Sequence, residues 1–241
     1  MSGAAASEAE TVRSFADLHV HTSASFDSLS NPADVVRAAA ARGLTHLAIT
    51  DHDTLDGALS VRDAAPEGLT VIVGQEVHTT SGDMIGLFLR ERVPAGLSPA
   101  ETSAAITEQG GLVGLPHPFD RYRGSSAWGR LDDELAELAG LLDYVEAWNA
   151  RIMLGNGNIL AAEFAHAHGL PAVAASDAHT VMEVGVAYTI ADGSLDSAEQ
   201  MHAALPGARL VTGRASRLVR AGMPLAKLVQ RLRGVRRVKV T

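Results

Sequence analysis

Short apolar runs alternate with amphipathic segments through most of the chain, and run after run ends on His, Asp or Glu. The first, residues 15–22, reads as a buried strand that stops at a His-x-His pair, His19 and His21. Residues two apart on a strand share a face, so both imidazoles point one way, with Asp17 in phase to orient one of them. Asn31-Pro32 then opens a helix that runs to about Arg42 and stops at Gly43. A strand over 44–50 ends in Asp51-His52-Asp53-Thr54, and a helix over 55–65 stops at Pro66-Glu67-Gly68. The strand 69–74 leads into Gln75-Glu76, and a turn at Ser81-Gly82 leads to an apolar run over 84–89. Pro99 opens a helix that stops at Gly110-Gly111; the strand 112–115 ends in Pro116-His117-Pro118. Helix 132–141, strand 143–146, helix 156–169 and strand 170–175 follow, the last ending in Ser176-Asp177-Ala178-His179. This alternation predicts a parallel β/α architecture with the helices outside.

Two such architectures compete, an open doubly wound sheet and a closed barrel. No strand is followed by a Gly-rich dinucleotide or P-loop signature, so a nucleotide-binding sheet loses support. Polar groups at the ends of many strands converge on one face only if the sheet closes. A barrel is therefore expected. No internal repeat is evident, which argues against a solenoid.

Composition narrows the chemistry. Among 241 residues there is no cysteine, which excludes disulfides, zinc ribbons, iron–sulfur ligation and a thiol nucleophile. Any metal must be held by nitrogen and oxygen. The Ala/Ser/Glu-rich segment 1–14 lacks the basic start and apolar stretch of a secretory signal and reads as a disordered leader. No run is long enough to span a membrane, and a cytoplasmic protein is expected. The net charge of −8 is unevenly spread: from residue 210 onward there are nine Lys/Arg and no acid, against 11 basic and 28 acidic residues before it. We expect a barrel domain over 15–209 with a basic extension, 210–241, packed on its acidic body. A nucleic-acid or anion-binding tail is the sharper reading of that extension, but aromatic interleaving is missing.

The polar strand ends form one constellation: His19, His21, His52, Glu76, His117, Glu146, Asp177 and His179, with Asp27 in the first loop. It has donors for more than one divalent ion, and Glu76 could bridge two. Neighbouring ions that share a hydroxide grip phosphate oxygens. The motifs Asp17-Leu-His19-Val-His21-Thr22, Thr50-Asp51-His52-Asp53-Thr54, Gly74-Gln-Glu76, His117-Pro118, Glu146-x-x-Asn149 and Ser176-Asp177-Ala178-His179 resemble the polymerase and histidinol phosphatase (PHP) superfamily, in the family's order. The resemblance implies an α/β fold, a distorted (β/α)7 barrel of PHP type, with a trinuclear metal site for phosphoester hydrolysis.

Carried over by motif, one ion belongs to His19, His21, Glu76 and Asp177, a second to Glu76, Asp83 and His117, and a third to Asp27, His52 and His179. Asp83 stands where many relatives carry histidine, and Asp27 where some do. Aspartate favours harder ions such as Mn²⁺ over Zn²⁺, so two or three ions of Mn, Zn or Fe are expected. Metal-activated water is the expected nucleophile, with His179 and Asp51 as candidate proton shuttles. Arg121, Asn149 and Arg151 are candidate substrate contacts at the rim, with Arg123 a weaker one. The expected substrate is a small phosphorylated metabolite, a nucleotide or a short oligonucleotide; no specific protein partner is predicted. An amide or lactone hydrolase is a competing reading, but its bridging lysine has no counterpart: Lys227 and Lys239 both lie in the basic extension. A non-catalytic, metal-stabilised regulatory domain competes too, yet nearly every ligand position is filled. His78 shares the Glu76 face. His46 is expected to pack, His166, His168 and His202 to be solvent-exposed, and Asp53 and Thr54 to cap a helix.

Overall fold

The computed structural model describes residues 12–121, 125–216, 219 and 222–238. Arg123, Lys239 and the leader up to residue 11 lie outside them. The described strands are β1 (Arg13–Val20), β2 (His46–Ile49), β3 (Thr70–Thr79), β4 (Gly82–Leu87), β5 (Leu112–Leu115), β6 (Tyr144–Asn149), β7 (Ala172–Ala175), β8 (Tyr188–Asp192) and β9 (Arg209–Val211). The helices are α1 (Pro32–Ala41), α2 (Asp56–Leu59), α3 (Pro99–Thr107), α4 (Asp132–Ala139), α5 (Gly157–Ala167), α6 (Ala198–Ala204) and α7 (Met223–Leu232).

Local chemistry explains the boundaries. The Asn31 side chain accepts from the Ala33 amide ahead of Pro32, and Gly43 ends α1 in the left-handed region at φ 75°. Ser98 and Glu101 form a reciprocal capping box on α3. The helix expected over 55–65 is shorter, a single turn of α2 and a 3₁₀ turn at Arg62–Ala64. Thr54 accepts from the Asp56 amide as expected, whereas Asp53 instead accepts from the amide of His78 and ties this loop to β3.

The sheet runs β7-β6-β5-β4-β3-β2-β1-β8-β9. Pairs β1–β2, β2–β3, β5–β6 and β6–β7 are parallel, while β4 is antiparallel to both neighbours. The hairpin β3–β4 thus interrupts the β/α rhythm, which is one distortion of the barrel. A second is the partner of β1 on its other side, the antiparallel β8. At the ligand-bearing end the ring nearly closes: Val20 bridges Ala178, and the His21 amide donates to Ala178 O at 2.8 Å. The fold is the expected distorted barrel.

Two cores hold it. Leu18, Ala48, Ile72, Ile85, Leu87, Tyr144 and Val173 pack on Leu195, Met201 and Leu205, and four residues past Ala48 and Ile72 come His52 and Glu76. Leu47, Ile49, Val71, Val73, Val113 and Val145 pack outward against Val35, Ile106, Leu138 and Phe164 of the helices. Fully burying one such side chain is worth about 1.5–3 kcal/mol, so the site rests on a stiff apolar floor.

His46 is packed as expected, bonded to Thr45 and Asp196. Burial lowers its proton affinity below the usual 6.5, with Asp196 acting against the shift. Below that value the unfolded chain binds the proton and the folded one resists it, so this contribution to stability is full above 6.5 and is lost as pH falls. His46→Gln should flatten the acid limb of thermal stability measured between about pH 5 and pH 7.5. An unchanged slope would remove His46 from the account.

Candidate metal centre

The strand ends bring the predicted ligands together. Asp17 pairs with Leu47 and Val20 with Ile49, so β1 holds one residue more than β2 over this stretch. That bulge re-aims the strand end: His19 and His21 stand with their Nε2 atoms 2.9 Å apart, while Asp17 falls out of phase. Asp17 therefore orients neither histidine. It accepts from the amides of Ser176 and Gly185, at 3.0 and 2.8 Å, and ties β1 to the loop after β7. Burial raises its pKa to about 6, against these hydrogen bonds.

Glu76 lies at the centre. Its Oε2 is 3.2 Å from His19 Nε2, 3.3 Å from His21 Nε2 and 3.3 Å from His52 Nδ1, and its Oε1 is 3.0 Å from His117 Nε2. Asp27 Oδ2 approaches His179 Nε2 at 3.2 Å and His52 Nε2 at 3.7 Å. Asp177 Oδ1 lies 3.4 Å from His179 Nδ1 and 3.5 Å from His21 Nε2. Among the described residues, three groups have donor atoms all within 4.8 Å of one another: His19, His21 and Glu76; Glu76, Asp83 and His117; and His21, Asp27, His52 and His179. His21 belongs to two groups, one more than the motifs suggest. His117 and Asp177 adopt left-handed backbone, at φ 30° and 52°, which is costly for non-glycine residues and is concentrated at functional sites.

The donor set fits divalent cations. Against burial, the carboxylates of Glu146, Asp177 and Glu76 raise the pKa of His19 well above its usual value. Glu76 and Asp27 likewise outweigh burial at His52 and raise it to about 9. Glu76 itself, though buried, is held well below the carboxylate range by His52 and His19. The cluster thus gathers positive charge by binding protons, which a metal ion would displace. Ring nitrogens Nδ1 of His21, His52 and His117 are buried with no hydrogen-bond partner. Glu146 Oε1 sits 2.6 Å from His19 Nδ1, the carboxylate–histidine pairing that orients a metal-binding imidazole. Its Oε2 accepts from the His117 amide and from Asn149 Nδ2, both at 2.9 Å.

The remaining candidates are less uniform. Asp51, the other candidate shuttle, is enclosed, and its oxygens accept from the Thr22 amide and hydroxyl, each at 2.6 Å. His179 is pushed down to about 3, by burial first, with Arg151 and His21 adding to it and Asp27 opposing. A ring that is neutral at pH 7 can ligate but holds no proton to donate as a cation. Asn149 is buried, its side chain bonded to Glu146 and Asp177. Arg121 stacks over Trp128, outside the cavity lining. Arg151 does line the cavity, 3.6 Å from Glu183.

Several contributors escaped the sequence reading. Glu183 Oε2 accepts from the amides of His179 and Thr180 and fixes that loop. Phe26 packs its ring 4.8 Å from that of His52. Gln230 of α7, fully buried, places its Nε2 2.7, 2.6 and 2.7 Å from the carbonyl oxygens of Ser23, Ser25 and Ser28, and so clamps the loop that carries Asp27. Arg237 Nη2 reaches both oxygens of Asp83, at 2.6 and 2.7 Å, and His78 Nδ1 at 3.0 Å. The cavity over the ligands, about 470 Å³, is walled on one side by Met223, Pro224, Lys227 and Arg237. The sequence reading expected a basic extension packed on the acidic body; its part in the lining of this cavity was not foreseen.

A barrel with His, Asp and Glu clusters at its strand ends has the donor arrangement of a divalent-metal centre. The profile of the PHP domain family matches residues 17–147, and that of a PHP-associated family matches residues 155–209. The chain belongs to the PHP domain family, a family of metal-dependent phosphoesterases and nucleases. An uncharacterized protein of Methanocaldococcus jannaschii is 40% identical over 146 residues, covering 56% of this chain and 81% of that protein. A two-domain protein from Bacteroides vulgatus containing a predicted PHP-like metal-dependent phosphoesterase superposes with a TM-score of 0.69 at 17% identity, over 84% of this chain and 66% of that one. A lesion-specific endonuclease from Pyrococcus furiosus gives 0.62 at 17% identity, over 83% and 58%. At such identities these two structures speak to the fold alone. Among the described residues no helix is long and apolar enough to cross a membrane.

Proposed function

We propose that the chain is a metal-dependent phosphoesterase acting on a small phosphorylated metabolite or nucleotide. The observation that carries this reading is the three donor groups, linked through Glu76 and His21, of whose eight residues six line one cavity. His19, His21, Glu76 and Asp177 would hold one ion, Glu76, Asp83 and His117 a second, and Asp27, His52 and His179 a third, with His21 between the first and third. Divalent ions in such sites acidify water and neutralise phosphoryl oxygens. An all-nitrogen-and-oxygen donor set suits Mn, Zn or Fe.

The protein's own part is positioning. Glu146 fixes the His19 ring and the His117 amide, and Glu183 fixes the loop of His179. Arg151 adds a buried positive charge on the cavity wall, suited to phosphate oxygens. Asp51 is enclosed with its oxygens bonded to Thr22, and His179 is neutral, so we assign the leaving-group proton to neither. The cavity is within the range of sites for small organic ligands, which suits one nucleotide or sugar phosphate. Elemental analysis of the purified protein, with a panel of phosphomonoesters and diesters assayed under Mn²⁺, Zn²⁺ or Fe²⁺, tests this. Hydrolysis that chelator abolishes and metal restores is expected. Bound metal with no hydrolysis of any phosphoester would point to another hydrolase chemistry, and absence of bound metal would sink the centre itself.

A further inference from the structure

Two cations of the basic extension, Lys227 and Arg237, line the cavity over the ligands. Lys227 has no hydrogen bond or ion pair among the described residues, and its Nζ lies 5.4 Å from the Phe26 ring centre, at the cavity mouth. Arg237 approaches the same ring, its Cζ 5.7 Å from the centre. One edge of its guanidinium is spent on Asp83, yet its Nε is buried in this wall with no hydrogen-bond partner. Phe26 in turn packs on His52. Both cations thus lie against the Phe26 ring beside the ligand groups, Arg237 touching Asp83 directly, and Gln230 holds the helix that presents Lys227 against the loop of Asp27 and Phe26.

Resting on the phosphoesterase reading, we propose that Lys227 and Arg237 form a phosphate-binding wall that selects terminal phosphate groups over internal phosphodiesters. A terminal phosphate is a dianion with three free oxygens, enough to meet the ions on one side and an ammonium and guanidinium on the other. An internal diester carries one charge and two chains. With its phosphorus set between the ions and this wall, its second chain would run against Phe26, Met223, Pro224, Lys227 and Arg237. In the reaction, water oxygen bonds to phosphorus, the ester P–O bond breaks, and a proton from water ends on the released alcohol, leaving inorganic phosphate against the wall.

The test uses the metal-loaded full chain, with Lys227→Met, Arg237→Gln and the double variant, all keeping side-chain bulk. Inorganic phosphate is titrated calorimetrically, metal content is measured, and kcat/KM is compared for a nucleoside monophosphate and for a circular oligonucleotide, which has internal diesters only. We expect the wild type to favour the monoester by roughly a hundredfold or more, and each variant to bind phosphate roughly tenfold more weakly, as loss of a charge-assisted contact implies, with metal content unchanged. Unchanged phosphate affinity, or faster cleavage of the circle than of the monoester, would overturn the proposal. So would a rise in metal content in Arg237→Gln without loss of phosphate affinity, which would make Arg237 the occupant of an ion's place. If neither ester is cleaved although metal is bound, the phosphoesterase reading fails, and the phosphate titration still decides the wall.

Discussion

Glu76→Gln should abolish turnover and strip metal from the protein. The carboxylate meets His19, His21 and His52 through one oxygen and His117 through the other, and is almost wholly buried. Glutamine keeps the volume, so the apolar floor beneath it stays packed. What changes is charge and donor type: an oxygen becomes an amide nitrogen that presents hydrogens to imidazoles, and two of the three donor groups lose their shared anion. Loss of one preorganised charge-stabilising group costs on the order of 10²–10³ in rate, and a ligand common to two ions should cost at least that. Metal content by elemental analysis and kcat/KM under saturating metal are the readouts. A variant that keeps both its ions and its rate would show that Glu76 bridges nothing.

Removing the metal should also lower thermal stability by roughly 10 °C. Five carboxylates, those of Asp27, Glu76, Asp83, Glu146 and Asp177, are buried around this centre. Without ions their charge is offset chiefly by protons on His19, His21 and His52, and by Arg237 at Asp83. A ligand present at about a thousand times its dissociation constant stabilises by about 4 kcal/mol, and for a chain of this size each kcal/mol shifts the midpoint by roughly 2–4 °C. Thermal melts with and without chelator measure the shift. Its pH dependence has a definite sign: protons compete with the ions for His52, whose folded value is about 9 without metal, so metal stabilisation grows as pH rises toward that value and shrinks as it falls. Melts that ignore chelator would mean that the charges balance without ions.

The barrel and its ligand ring were legible because both depend on local rules. Apolar runs closed by Gly or Pro mark strands and helices, and ligands at strand ends must converge if the sheet closes. Residues whose roles depend on side-chain register were harder to read. Asp17 looked like an orienting residue because alternation was assumed to run unbroken, and the extra residue before Val20 breaks it. Asp51 sits in the same motif as His52, yet only tertiary placement shows its oxygens taken up by Thr22. β8 and β9 were not foreseen: β8 has polar Thr189 on an inward position, and its pairing with β1 spans most of the sequence. Glu183, Gln230 and Arg237 act through contacts with distant loops, and nothing in their immediate neighbours announces them.

The position of β1 in the sheet has a kinetic consequence. Its neighbours are β2, about thirty residues on, and β8, whose Asp192 pairs with Arg13 across 179 positions. Contacts so far apart in sequence form late and slowly, since loop closure precedes any gain from the contact. His19 and His21 cannot meet Asp177 and His179 until that closure is made. Tight metal binding should therefore follow assembly of the barrel and lock a chain already folded, and refolding with metal present should slow unfolding far more than it speeds folding.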